Sequence, residues 1–277
     1  MPELPEVEAA RSAIQRVAVG RRIVAVRCAD DHIVFQGSSP AQVRRALLGR
    51  RVRDVHRRGK HLWLELDRRP WPIFHFGMTG GFHSPAVKSV KLKSSGNKDR
   101  GSQWPPRFWK LQMKFAGGGE LVMTDARRLG RIRLRHDPRN EPPISLLGFD
   151  ALHELPSPRK FHELLHPRTA PIKAVLLDQG FSAGVGNWIA DEVLYQARID
   201  PRRRAHTLTA RETARIRYRI GSVVRTAIRV GSDGDRFPKS WLFHYRWDRG
   251  VPTARGERLR HATIGGRTTA WAPAVQK

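Results

Sequence analysis

The residues with the most chemical potential stand at the start of the chain, in Met1-Pro2-Glu3-Leu4-Pro5-Glu6-Val7-Glu8. A small residue at position 2 normally permits removal of Met1, which turns Pro2 into a secondary amine. An N-terminal amine has a reference pKa of about 7.7–8.0, so a useful fraction is neutral near pH 7, whereas lysine, at about 10.4, is almost wholly charged. A neutral amine attacks an aldehyde-like carbon and forms an imine. Glu3 and Glu6 flank Pro2 in sequence and offer the acid and base that such a reaction needs. The same residues also suit a plainer role, as prolines opening a helix with acids in its favourable first turn.

Four further segments carry usable groups. Arg57-Arg58-Gly59-Lys60-His61-Leu62 sets a turn glycine and Lys60 before an apolar strand, where a hairpin either projects the cation or merely solvates it. His75-Phe76-Gly77-Met78-Thr79-Gly80-Gly81 ends a strand with Met78 among glycines, although methionine in such a place commonly fills a core. Asp125-Ala126-Arg127-Arg128-Leu129-Gly130 joins two guanidinium groups to an apolar Leu129, a pattern that a solvated basic turn also gives. Between Asp178 and Glu192, Gly180, Gly184 and Gly186 precede a helix beginning near Asn187, and free N–H groups at a positive helix end suit phosphate. As a dinucleotide fingerprint this stretch fails, because the third glycine is missing and no strand leads into it. A phosphodiester, helped by a cation such as Lys173, is the better ligand. A nucleotide-phosphate enzyme would also need a phosphate-lysine signature or metal carboxylates, and neither is present.

The elements that must position these groups follow from composition and period. The chain has 277 residues, with 52 Lys+Arg against 25 Asp+Glu, a formal net charge of +27. So much self-repelling charge implies a polyanionic partner and argues against an enzyme of small neutral metabolites. The single cysteine, Cys28, excludes an internal disulfide framework and a zinc site of two to four cysteines, and it fits a reducing compartment or a redox-indifferent one. No run approaches 18 apolar residues, so no membrane span is expected. The acidic, proline-rich start lacks the features of a secretory or transit signal and reads as the opening of a folded domain. No cofactor or metal is expected.

Val7, Ala10, Ile14 and Val17 lie on one helical face that Gly20 ends, and a short helix is predicted between Pro40 and Leu48. Period-two stretches predict strands at Ile23–Val26, Ile33–Phe35, Val52–Val55, His61–Leu66, Ile73–Phe76, Trp109–Phe115, Glu120–Met123 and Ile132–Leu134. Lys88 to Gly101 is polar and basic and reads as a surface loop, and Asp137 to Pro143 as a linker. Helical spacing then takes over at Pro158–His166, Ile172–Asp178, Asn187–Ala197 and Thr209–Val230, the last opened by a Thr209…Glu212 capping box. Short strands are predicted at Trp241–Arg246, Glu257–Thr263 and Thr268–Ala272, with Gly265-Gly266 as a turn.

Taken together, PELPEVE at Pro2–Glu8, RRGKHLWLEL at Arg57–Leu66, HFGMTG at His75–Gly80, DARRLG at Asp125–Gly130, IKAVLLDQ at Ile172–Gln179, GVGNWIADEVLYQARIDP at Gly184–Pro201 and GGRTTA at Gly265–Ala270 resemble one family. It is the formamidopyrimidine-DNA glycosylase/endonuclease VIII family of base-excision repair enzymes, and the resemblance spans nearly the whole chain. It implies an α+β fold with an N-terminal helix and antiparallel β-sandwich domain (1–136), a linker (137–145), a helix–two-turn–helix domain (146–240) and a β-hairpin finger (241–277). It implies Pro2 as nucleophile at C1′, Glu3 as acid/base, Glu6 in support, and Lys60 on a phosphate near the lesion. Lys173 and Asn187 would grip the backbone around the flipped nucleotide, and Arg267 would bind phosphates beside it. Met78, Arg127 and Leu129 would fill the hole left by a base extruded for chemistry.

Two departures stand out. Leu129 occupies a wedge position where Phe is common. No cysteine follows Cys28, so the finger is expected to be zincless, held by Trp241, Phe243 and Trp271, with His244 and His261 as ordinary residues rather than ligands. Such a finger, with FPKSWLFHYR at Phe237–Arg246, most resembles plant members, from which nuclear residence follows as an expectation. The expected activity is a bifunctional DNA glycosylase/β,δ-lyase acting as a monomer on damaged double-stranded DNA. The alternative is a non-catalytic basic DNA- or RNA-binding protein. Arg229–Arg236 is short for a base-covering loop, which favours ring-opened purines, hydantoins and oxidised pyrimidines over intact 8-oxoguanine.

Overall fold

A computed structural model describes residues 2–85 and 103–277; the basic stretch predicted as a loop at 88–101 lies outside them. Contacts divide the chain into two units, one running to Leu146 with Gly231–Gly234 added, the other Leu147–Val230 with Asp235–Lys277. The stretch predicted as a linker falls within the first unit up to Leu146, and the finger segment shares the second unit with the helices. Asp137–Pro143 is a bonded turn rather than a loose connector: Asn140 Nδ2 donates to Asp137 Oδ2 at 2.8 Å and Arg135 Nε to the Pro142 carbonyl at 2.7 Å.

The first unit opens with α1 (Leu4–Ala18). Glu3 is its N-cap in extended backbone, Pro5 lies in the first turn, and Leu4, Val7, Ile14 and Val17 form its buried face. β1 (Ile23–Cys28), α2 (Pro40–Leu47), β2 (Val52–Arg58), β3 (His61–Leu66), β4 (Trp71–His75), β5 (Gly81–His83), β6 (Trp109–Phe115), β7 (Glu120–Thr124) and β8 (Arg131–Arg135) follow. They make two four-stranded antiparallel sheets, ordered β1-β6-β7-β5 and β2-β3-β4-β8. One apolar core takes Val26, Leu111 and Met123 from the first sheet, Leu62, Leu64 and Phe74 from the second, and Val7 and Ile14 from α1. The predicted strand at Ile33–Phe35 is instead a turn with one bridge, Phe35 to Ile132. Buried Asp31 causes it: its carbonyl accepts the Val34 and Phe35 N–H groups, and its carboxylate takes Val34 N–H as well.

The second unit contains β9 (Phe149–Asp150), α3 (Pro158–Leu165), α4 (Ile172–Leu177), β10 (Ser182–Ala183), α5 (Asn187–Ala197), α6 (Ala210–Arg229), β11 (Arg260–Ile264) and β12 (Arg267–Trp271). α5 is buried nearly all round, from Trp188 to Ala197, so other elements assemble on it. α6 begins with the predicted Thr209/Glu212 capping box. β11 and β12 pair as a hairpin whose two-residue turn, Gly265-Gly266, has φ +59° and +70°, the left-handed pair that a tight hairpin of this hand requires. The predicted strand at Trp241–Arg246 is a 3-10 turn over Leu242–His244, because Trp241 and Phe243 turn inward onto Trp188 and Phe237 rather than alternating across a sheet.

Candidate active site and nucleic-acid interface

Pro2, Glu3 and Glu6 are all buried at the head of α1. Glu6 Oε2 accepts the Glu3 N–H at 3.0 Å, closing a capping box that fixes both carboxyls against the first turn. Burial, reinforced by the neighbouring Glu3 carboxylate, pushes the Glu6 carboxyl up to about 7. A group with that value holds and releases a proton near neutrality, the range a general acid/base needs.

Lys60 is also buried, at the turn between β2 and β3. What brings that turn to α1 is an ion pair the motif reading did not single out. Arg57 Nε donates to Glu8 Oε2 at 2.8 Å, with Arg57 almost wholly enclosed, and Arg57 Nη1 donates to the Gly59 carbonyl at 3.1 Å. Glu8 is held in turn by Arg11 at 2.7 Å. The chain Glu8–Arg57–Gly59 therefore ties the residue before Lys60 to the helix that begins beside Pro2. His61 and His75 lie ring to ring at 4.8 Å in the same sheet. Burial first, and then nearby cations including Lys60, lower them to about 3 and about 4, so both are neutral at pH 7 and add no repulsion to Lys60.

The predicted hole-filling residues share one organiser. Asp125 is fully buried; its Oδ1 accepts Thr79 Oγ1 and the Arg127 N–H, each at 3.2 Å, and its Oδ2 accepts the Gly130 N–H at 2.6 Å. Those partners adjoin Met78, Arg127 and Leu129. Gly77 completes the arrangement, since a side chain there would collide with the backbone of Leu129 and Gly130. Of the two arginines in the turn, Arg128 is pinned: left-handed at φ +55°, it reaches Asp31 at 3.0–3.2 Å, and Lys110 joins the same carboxylate at 2.7 Å. Burial works to raise the Asp31 carboxyl, but these bonds hold it down at about 2. Arg127 and Leu129 are left exposed on either side, and Met78 half-buried.

In the second unit, Asn187 starts α5 and donates from Nδ2 to the Thr268 carbonyl at 2.9 Å, next to exposed Arg267 in the hairpin. Lys173 departs from expectation. It is wholly enclosed, its Nζ 2.5 Å from Asp191 Oδ1, 2.7 Å from Thr269 Oγ1 and 3.3 Å from the Thr268 carbonyl. Arg246 reaches the other Asp191 oxygen at 2.6 Å. Lys173 is thus enclosed rather than exposed, and it holds the hairpin that carries Arg267. Trp241 and Phe243 pack on Trp188, and Glu192 accepts the Phe243 N–H at 2.9 Å, while Trp271 lies under Arg202 at 5.1 Å. His244 and His261 each bond a backbone carbonyl at 3.2 Å.

The residues missed in the sequence were therefore buried ionic ones: Glu8, Arg57, Asp125, Asp191 and Arg246. Asp191 had a visible signal, a pair of adjacent acids in a largely apolar helix, but Arg246 had none, because its partner is 55 residues away.

Comparisons with known proteins identify the family. The family model for the formamidopyrimidine-DNA glycosylase N-terminal domain matches residues 1–132, and that for the formamidopyrimidine-DNA glycosylase H2TH domain matches 147–239. A formamidopyrimidine-DNA glycosylase of Arabidopsis thaliana is 43% identical over 278 residues, covering 100% of this chain and 71% of the relative. One from Thermus thermophilus is 34% identical over 269 residues, covering 96% and 87%. Among solved structures, the Lactococcus lactis enzyme bound non-covalently to DNA containing an AP site superposes with a TM-score of 0.81 at 25% identity, covering 99% of both chains. MutM in complex with carbocyclic 8-oxo-G DNA gives 0.81 at 26% identity, covering 100% of both.

Proposed function

The chain belongs to the formamidopyrimidine-DNA glycosylase family, and from that membership we propose that it excises oxidised bases from duplex DNA through Pro2 and then cuts the strand. With Met1 removed, the Pro2 nitrogen attacks C1′ as the glycosidic bond breaks and the base departs with the bonding electrons. Glu3 protonates the ring oxygen as the sugar opens, which leaves an iminium ion between Pro2 and C1′. The iminium acidifies the C2′ proton; its loss expels the 3′ phosphate, a second elimination expels the 5′ phosphate, and water releases the sugar fragment from Pro2. Lys60 offsets phosphate charge near the reacting sugar, and Glu6, poised near neutrality, takes up and returns protons at Glu3's side. Arg127, Arg267 and Asn187 hold the strands, with Met78 and Leu129 in the vacated stack.

The observation that carries this reading is the buried head of α1, where Pro2, Glu3 and a Glu6 with a pKa of about 7 stand together. An isolated charge-binding surface has no need of acids buried in that position. The relatives' complexes include AP-site, Fapy-dG and oxidised-pyrimidine DNA, and the proposed substrates are the same chemical classes. Nuclear residence, monomeric action and a zincless finger belong to the same proposal.

Borohydride trapping tests it. The wild type is expected to form a covalent adduct with abasic and oxidised-base duplexes, and Pro2→Gly to trap far less. A Pro2→Gly, Glu3→Gln double variant that traps and cleaves undiminished overturns the assignment, as does a mature N-terminus that mass spectrometry finds still carrying Met1.

A further inference from the structure

Phe108 stands immediately before β6 in a conformation that bulky residues rarely adopt, with φ at +64°. The residue is 44% exposed, and Arg107 lies over its ring with the guanidinium carbon 4.6 Å from the ring centre. Among the described residues no other aromatic ring packs on it. The position is nevertheless fixed. The Phe108 carbonyl accepts the Asp125 N–H at 3.0 Å, and the next residue, Trp109, pairs with Thr124. Asp125 is the same residue whose carboxylate anchors Thr79, Arg127 and Gly130. One buried acid therefore sets Phe108 in the same cluster of turns as Met78, Arg127 and Leu129.

Strain and an exposed aromatic surface both count against the fold, and Phe108 adds nothing to the core in return. Strain of this kind gathers where function demands it. The surroundings say what the ring meets: Arg107 lies over it and exposed Arg127 stands in the turn that Asp125 anchors, and a half-exposed ring beside cations is the arrangement that stacks nucleic-acid bases. We propose that Phe108 is a DNA-contacting residue whose ring stacks on a base next to the lesion, supplying the aromatic surface that Leu129 lacks. The proposal rests on the DNA-repair reading above and assigns a residue outside the family motifs that carried it.

The test uses the full chain with Phe108→Gly, Phe108→Tyr and the double variant Phe108→Gly, Leu129→Phe. Glycine favours a positive φ, so Phe108→Gly is expected to resist thermal unfolding at least as well as the wild type, which separates folding from contact. Single-turnover excision of a formamidopyrimidine is measured in a duplex and in the same strand alone. A 2-aminopurine beside a tetrahydrofuran abasic analogue reports unstacking on binding. Phe108→Gly is expected to lose about tenfold in duplex excision and much less on the single strand, as loss of one base stack implies. It should also blunt the 2-aminopurine signal, while Tyr restores both and Leu129→Phe restores them in part. An unchanged duplex-to-single-strand ratio, or an unchanged 2-aminopurine response, in a folded Phe108→Gly protein overturns the proposal. A wild type that excises nothing overturns the glycosylase reading instead, and the 2-aminopurine arm then decides Phe108 on its own.

Discussion

Asp125 in the first unit and Asp191 in the second are both buried acids near an exposed arginine, yet they are compensated in opposite ways. Asp125 is bonded to neutral donors, a threonine hydroxyl and the N–H groups of Arg127 and Gly130, and it leaves the Arg127 guanidinium outside. Asp191 is bonded to full cations, Lys173 and Arg246, and what it leaves outside is a hairpin bearing Arg267. Neutral N–H donors from a single turn shape that turn, because each bond dictates a backbone position. Cations drawn from α4 and from the chain after the 3-10 turn instead tie distant elements together, and do so without specifying a turn. On the proposed function, the first device suits residues that enter a base stack at defined heights, and the second an element that lies along phosphates.

The comparison breaks most visibly at Asp191. Its replacement by leucine leaves two enclosed cations without a counter-charge, and unfolding in urea should show a loss of about 3–5 kcal/mol. Removing the cations as well, in Asp191→Leu, Lys173→Met, Arg246→Met, should recover most of that loss, because apolar groups of similar volume replace a buried triad at little net cost. A triple variant no more stable than the single one would mean that the hairpin depends on the ionic contacts themselves. DNA affinity would then fall with stability rather than independently of it.

A third buried acid sharpens the contrast because its environment favours the protonated form. Glu6 is raised to about 7, first by burial and then by Glu3, against an ordinary value near 4.5. In the unfolded chain it ionises near 4.5, in the folded chain near 7, so between those values the unfolded state holds fewer protons and stability falls as pH rises. The loss is complete above about pH 7 and amounts to about 3 kcal/mol at most. Glu6→Gln should therefore unfold at a higher temperature than wild type at pH 8.5 and show little difference at pH 4.5. Glu192, also raised to about 7, titrates in the same window in both proteins and cancels from the comparison. Equal melting temperatures at pH 8.5 would mean that Glu6 is compensated like Asp191. Excision by the wild type should decline over the same interval if the Glu6 proton is used.

These acids also mark the limit of what the sequence disclosed. Both halves of the fold were legible from period, since Val7, Ile14 and Val17 spell a helix and His61–Leu66 a strand without help from the rest of the chain. Pro2, Glu3, Glu6 and Lys60 stood out as candidates through the family resemblance, since their residue types alone also suit a helix start and a solvated turn. The burial of Lys173 was not legible, because a lysine before glycines looks like a phosphate ligand until its partner is known, and Asp191 lies 18 positions on in another helix. Ile33–Phe35 failed for a similar reason. Alternating apolar residues imply a strand unless a side chain competes for the backbone, and Asp31 does so here. What period and composition cannot convey is pairing across long separations, and buried ion pairs consist of little else.

Asp125→Asn is the smallest and most discriminating of these changes. The amide keeps the volume and one acceptor oxygen, so only one side of the carboxylate is lost, and either the Gly130 N–H or the pair from Thr79 and Arg127 loses its acceptor. A bond from a neutral donor to a charged acceptor contributes about 1.5–3 kcal/mol, and the surviving amide oxygen retains part of it, which leaves an expected loss of about 1–2 kcal/mol in urea unfolding. The functional effect should exceed the thermodynamic one. The turn would remain but its residues would no longer be held at fixed heights, so excision from a duplex should fall more than excision from a single strand, where no hole needs filling. If the two rates fall together, Asp125 supports the fold in general and the turn needs no exact placement. If only the duplex rate falls, the N–H groups gathered by Asp125 set the position of Met78, Arg127 and Leu129, as the contrast with Asp191 requires.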